Sequence, residues 1–109
     1  MSLNIKQYDI VIVNLDPTIG SEIKKTRPCI VLSPNEINEN LKTLIIAPLT
    51  TKGKNYPTRV SITINKKQSW IAIDQIRTID KQRLVRTIAS SPLKSIVTIK
   101  AVLKEMLVD

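Results

Sequence analysis

The sequence predicts a small, mainly β domain: a strongly bent antiparallel sheet or partly open barrel, with one helix at the C-terminus. Three observations lead there. Short runs rich in Ile, Val and Thr recur between turn-forming Pro, Gly, Asn and Asp residues. Only the last stretch of the chain keeps a helical period. The crossover helices that parallel strands require are missing, which excludes a doubly wound α/β fold. With 109 residues, 42 % of them hydrophobic, and no linker, repeat or low-complexity tract, the chain is expected to form one folded domain over 1–109.

The elements follow in order. DIVIVNL (9–15) is dense in β-branched residues, which suit a pleated surface, and it ends at the turn signal Asp16-Pro17. CIVLS (29–33) is a second strand, stopped by Pro34. The polar NEINENLK (35–42) has room for one helical turn or a loop. TLIIAPL (43–49) is a third strand, and Pro48, lacking an N–H for the ladder, marks an edge or the strand's end. A polar loop, TTKGKNYPT (50–58), leads to RVSITI (59–64), where Val60, Ile62 and Ile64 alternate with polar neighbours as in a half-buried strand. SWIAIDQI (69–76) is a fifth strand and RTIAS (86–90) a sixth, with TIDKQRL (78–84) between them as a turn or helical piece. The terminal helix takes Ser91 as its cap and Pro92 as its first residue. Ile96, Ile99, Val102, Leu103, Met106 and Leu107 share one face, Lys94, Thr98, Lys104 and Glu105 the opposite one, with Val97 and Ala101 between.

Composition narrows the chemistry. Seventeen Lys and Arg against nine Asp and Glu give a net charge of +8, which favours a polyanion, nucleic acid before anionic membrane, or an acidic protein partner. No apolar run approaches the ~20 residues of a membrane span, and the N-terminal residues lack a signal-peptide layout. Cys29 is the single cysteine, so an intramolecular disulfide is impossible and a reducing, cytoplasmic setting is expected. Without histidine there is neither a Ser-His-Asp triad nor a two-histidine ribonuclease site, and the common zinc sites are excluded. The carboxylates are scattered, and Gly20 and Gly53 are the only glycines, so neither a magnesium cluster nor a glycine-rich phosphate loop is present. No cofactor or metal is expected.

What remains is a set of polar residues where strands meet loops. Arg27 enters the second strand; its guanidinium could clamp a phosphate and stabilise a pentacovalent transition state, or it is a surface arginine beside a turn. Glu22 lies on the same loop and serves either as a base, if its pKa is raised, or in a loop ion pair. Thr50 and Thr51 could donate to a phosphate oxygen or simply form a turn. Asp74 and Arg77 close the WIAIDQIR run, where a strand-end salt bridge is the plain reading. Tyr56 and Trp70 could stack on bases, although Trp70, within an alternating strand, suits the core better.

Together, YDIVIVNLDPTIGSEIKKTRPCIVLSP, APLTTKGKNYP and IDQIRTIDKQRL resemble, in order and spacing and over nearly the whole chain, the MazF/PemK family of toxins from bacterial toxin–antitoxin pairs. The resemblance implies an SH3-like β-barrel with a terminal helix, assembled as a homodimer. It implies a metal-independent endoribonuclease that cuts single-stranded RNA, chiefly messenger RNA, by 2′-hydroxyl attack, and an acidic antitoxin as partner. Arg27 matches the family's catalytic arginine and Thr50 its catalytic threonine, and Glu22 an acidic position used by some members. Asp74 matches an aspartate that acts with an arginine in plasmid-borne relatives. Here Ile73 stands where those relatives carry the arginine and Ser21 where they carry a histidine, so their acid/base assignment does not transfer whole. Ser21, Lys24, Lys25, Thr51, Lys52, Lys54, Tyr56, Asp74 and Arg77 complete the expected RNA-binding set. Two alternatives stand beside this reading: a non-catalytic gyrase poison like the related CcdB fold, and an inactive RNA-binding member of the family.

Overall fold

The computed structural model describes residues 4–14, 26–51 and 56–108. Its elements are β1 (Asp9–Asn14), β2 (Thr26–Val31), α1 (Asn35–Asn40), β3 (Thr43–Thr50), β4 (Arg59–Ile64), β5 (Lys67–Ala72), β6 (Arg77–Asp80), β7 (Leu84–Ser90) and α2 (Leu93–Leu107). Short 3-10 turns at Ile73–Gln75 and Lys81–Arg83 flank β6. The strands pair in the order β4-β5-β3-β2-β1-β7, and β6 joins β3 beside β5. Each of these pairings is antiparallel.

Because successive strand residues point to opposite faces, the sheet builds two cores. Ile10, Ile30, Leu32, Ala47 and Leu49 meet Val60, Ile62, Ile71 and Ile73 of the β4–β5 region, closed by Ile99 of α2. On the other face Val11, Val13, Cys29, Val31, Leu44, Ile46 and Ile79 pack together with Ile5. Ile99 is fully buried, and burial of one such side chain stabilises the fold by about 1.5–3 kcal/mol. The β4–β5 hairpin closes through Asn65 and Lys66, both at positive φ (51° and 66°), next to the Ile64–Lys67 pair. This is the backbone sign that a two-residue hairpin turn of matching twist requires. Tyr8 also has a positive φ, 70°. Its N–H donates to the Val31 carbonyl at 2.7 Å, and its own carbonyl accepts from Ser91 N–H at 2.9 Å. These two bonds fasten the residue to the rest of the fold through both of its backbone polar groups.

Several expectations need correction. The described residues hold seven strands, because part of the expected turn in TIDKQRL pairs with β3 as β6. Pro48 ends neither the strand nor the sheet: β3 continues to Thr50 and is bordered on both sides. It sits between the last β6 pair, Ile46–Arg77, and the first β5 pair, Leu49–Ile71, where that edge of β3 changes neighbour. The cap of α2 is Pro92 and not Ser91; the Ser91 hydroxyl turns to the Pro92 carbonyl and no side chain caps the helix. The apolar face of α2 is the expected one through Ile96, Ile99, Val102 and Leu103, with Ser95 also buried on it, but its last turn is exposed at Met106 and Leu107. Trp70 is half-buried rather than part of either core. The Asp16-Pro17 turn lies outside the described residues.

Candidate active site

Register and pleat decide which predicted residues share a face. Cys29 and Val31 of β2, and Leu44 and Ile46 of β3, point into the second core. Arg27 stands two positions before Cys29, and Thr50 an even number of positions after Leu44 and Ile46, so both fall on that same face. Cys29 pairs with Pro48, which brings the start of β2 and the end of β3 to one end of the sheet. There the Arg27 guanidinium donates through Nη2 to the Leu49 carbonyl at 3.4 Å. Thr50 is half-buried and pairs across the strands with Trp70. Thr51, exposed, follows directly.

Arg77 belongs to the same face, because it pairs with Ile46. The Cys29 thiol lies in this shared environment. Burial pushes the thiol up to about 12, opposed by the positive charges of Arg27 and Arg77. Two guanidiniums therefore flank a buried neutral thiol, and among the described residues neither is in a salt bridge with a carboxylate. This is a fixed positive potential of the kind that attracts a phosphodiester. Around the Arg27–Thr50 end runs an open groove of about 680 Å³, with Thr51, Lys67 and Ser69 as polar lining and Pro28, Leu49 and Ile88 among its apolar walls. Lys67 and Ser69 were not anticipated from the sequence; the signal was the Asn65-Lys66 turn, which brings the tip of the β4–β5 hairpin to the groove.

Tyr56 and Asp74 come together elsewhere, around a residue the sequence reading passed over. Arg59 donates through Nε to Asp74 Oδ1 at 2.9 Å and through Nη2 to Oδ2 at 3.3 Å. The Thr58 hydroxyl adds a bond to Oδ1 at 3.0 Å. The Arg59 side chain holds the Asp74 carboxyl below the usual carboxylate range, with Thr58 assisting and partial burial opposing. The expected strand-end pair of Asp74 with Arg77 is therefore replaced by a pair with Arg59, because Asp74 lies in a 3-10 turn and Arg77 begins a separate strand. Arg59 occupies the polar phase of the alternating RVSITI run, which was the available hint. Ser21, Glu22, Lys24, Lys25, Lys52 and Lys54 lie outside the described residues. Among the described residues, no helix is long and apolar enough to cross a membrane.

Comparison with known proteins agrees with this architecture. The endoribonuclease toxin MazF of Escherichia coli K12 is 35 % identical over 71 residues, which take in 65 % of this chain and 64 % of that protein, so the match spans just under two thirds of the relative's length. The endoribonuclease EndoA of Bacillus subtilis 168 is 36 % identical over 86 residues, covering 73 % of this chain and 74 % of the relative. A MazE–MazF crystal structure from Deinococcus radiodurans superposes with a TM-score of 0.83 at 24 % identity, covering 97 % of each chain, and so shares the fold. The family profile described as PemK-like, MazF-like toxin of type II toxin–antitoxin systems matches residues 6–107. This chain belongs to that toxin family.

Proposed function

We propose that this protein is the toxin of a type II toxin–antitoxin pair and an endoribonuclease that cuts single-stranded RNA, chiefly messenger RNA, at short sequence motifs. The observation that carries the reading is the meeting of Arg27 and Thr50 at one end of one sheet face, beside an open groove. The names of the two relatives, both endoribonucleases, support it.

In this reaction the substrate supplies its own nucleophile. The 2′-hydroxyl loses its proton and attacks the adjacent phosphorus, and the bond to the 5′-oxygen breaks. That oxygen takes up a proton, leaving a 2′,3′-cyclic phosphate and a 5′-hydroxyl. DNA lacks the nucleophile and should not be cut. The additional negative charge of the phosphorane needs donors already in place. Arg27, held by the Leu49 carbonyl, and the Thr50 hydroxyl fill that role, and the loss of one such donor costs about 10²–10³ in rate. Glu22 is the candidate for proton transfer. Asp74 is poorly suited to it, because Arg59 and Thr58 occupy its carboxylate and keep it ionised.

Lys24, Lys25, Lys52 and Lys54, with Ser21, Thr51, Tyr56 and Arg77, are assigned to holding the RNA backbone and bases. Attraction by lysines weakens as counterions compete, so RNA affinity should fall as salt rises. An acidic antitoxin segment lying over the same cations would block RNA, a reading supported by the net charge of +8 and by the MazE–MazF relative. A homodimer in the cytoplasm, free of metal and cofactor, completes the proposal.

The test is incubation of the purified protein with a long single-stranded RNA in EDTA, followed by end-group analysis. Cyclic-phosphate and 5′-hydroxyl ends are expected, and antitoxin should suppress them. Intact RNA across diverse sequences would remove the nuclease assignment, and gyrase-dependent DNA breaks would point to a CcdB-like poison.

A further inference from the structure

Tyr56 stands apart from the other two aromatic residues. Tyr8 and Trp70 are half-buried, whereas Tyr56 is 59 % exposed. Its surroundings are nevertheless well tied. Pro57 and Thr58 form a turn closed by Arg59 N–H donating to the Tyr56 carbonyl at 3.0 Å. Ile73 N–H donates to the Thr58 carbonyl at 3.0 Å, joining the turn to the end of β5. The Arg59 guanidinium, gripped at two points by Asp74, lies 5.7 Å from the centroid of the Tyr56 ring. Among the described residues this is the sole salt bridge, in a chain with only nine acidic residues.

A bidentate pair fixes the plane of a guanidinium in a way that a point charge cannot. A ring held within cation–π distance of that guanidinium loses less freedom when a flat ligand stacks on its open side, because part of its ordering is already done. The location is also suited to substrate. Arg59 lies on the same sheet face as Thr50, since Thr50 pairs with Trp70, Trp70 with Ser61, and Arg59 is two residues from Ser61. Strand spacing and rise put the two positions roughly 12 Å apart, within reach of a neighbouring nucleotide on one RNA strand.

We propose that Arg59 is a positioning residue: locked by Asp74, it backs the Tyr56 ring so that the turn presents a preset stacking platform for one nucleobase near the scissile phosphate. This rests on the endoribonuclease reading above. Tyr56 makes the contact with RNA; Arg59 and Asp74 act through it. Asp74 thereby has an anchoring role in this chain and not one in proton transfer.

The experiment uses the full chain and two probes of the same RNA sequence. One is all-RNA and reports kcat and KM. The other carries a 2′-deoxynucleotide at the scissile position, so that it binds without being cut, and 2-aminopurine placed at each flanking position in turn. Stacking should quench the fluorescence at one position in the wild type. Tyr56→Ala should abolish that quenching and raise KM about tenfold with kcat little changed, the size expected for one stacked base. Tyr56→Phe should retain both. Arg59→Lys and Asp74→Asn, assayed well below their melting temperatures, should weaken the quenching and raise KM several-fold although Tyr56 is intact. Unchanged quenching and KM in Tyr56→Ala would overturn the platform. Loss in Tyr56→Ala without any effect of Arg59→Lys and Asp74→Asn would overturn the positioning role. Failure of the wild type to cut the all-RNA probe would instead refute the nuclease reading, which the uncuttable probe does not depend on.

Discussion

Arg27 and Arg59 are the same residue type on the same face of one sheet, and their surroundings differ sharply. Arg27 makes one long bond, 3.4 Å, to a backbone carbonyl, and among the described residues no carboxylate neutralises it. Arg59 is half-buried, held at two points by Asp74 and within cation–π distance of the Tyr56 ring. A cation that is oriented but electrically unanswered is available to an incoming anion. A cation fully answered within the protein can only hold other groups in place. Among the described residues, partner count, more than residue type, is what suits the two arginines to the two proposed roles.

This contrast can be broken by experiment. The largest effect is expected from Arg27→Ala, which should lower RNA cleavage by about 10²–10³ while moving stability by no more than ~0.5 kcal/mol. Chemical denaturation beside a cleavage assay checks both. Arg59→Ala should show a different balance, with a stability loss of about 0.5–1 kcal/mol, as expected for a largely solvent-screened pair, and a change in KM more than in kcat. If Arg59→Ala abolished turnover while Arg27→Ala left it intact, the two assignments would be reversed.

The pH dependence of Asp74 sharpens the same point. Its carboxyl is held below the ordinary ~3.9 of aspartate mainly by the Arg59 bond. A depressed folded-state pKa stabilises the fold fully above the unfolded value, and this is lost as pH falls through the folded value. The stability gap between wild type and Asp74→Asn should therefore be present at neutral pH and close below about pH 4. A gap that stays constant through that window, followed by thermal melts, would show that the ion pair contributes nothing. The smallest effect is expected at the hairpin tip. Lys66 has φ 66°, and Lys66→Gly should raise stability by roughly 0.5 kcal/mol, the net of relieved left-handed strain and added chain entropy. Denaturation midpoints measure this directly.

These contrasts also mark what the sequence made legible. The β-rich plan was visible because β-branched runs and the period of RVSITI report directly on pleated, half-buried strands. β6 escaped because RTID is four residues long and carries a charge at each end, so it has no room to display a period. The cap of α2 was misplaced by one residue because Ser-Pro offers two adjacent start signals, and proline itself occupies the cap. Arg27 and Thr50 were singled out by residue type and by family resemblance, but their shared face depends on register, which no single segment specifies. Arg59 was missed for the same reason: its partner Asp74 is fifteen positions away and meets it only across the β4–β5 hairpin.

The proposed cutting site of Arg27 and Thr50 underlies each of these contrasts. It is tested most directly by end-group analysis of one defined single-stranded RNA, in EDTA, with wild type and Arg27→Ala side by side. The wild type should leave 2′,3′-cyclic phosphate and 5′-hydroxyl ends, and the variant should lose about 10²–10³ in rate. Equal cleavage by both proteins, or 3′-hydroxyl and 5′-phosphate ends, would contradict it.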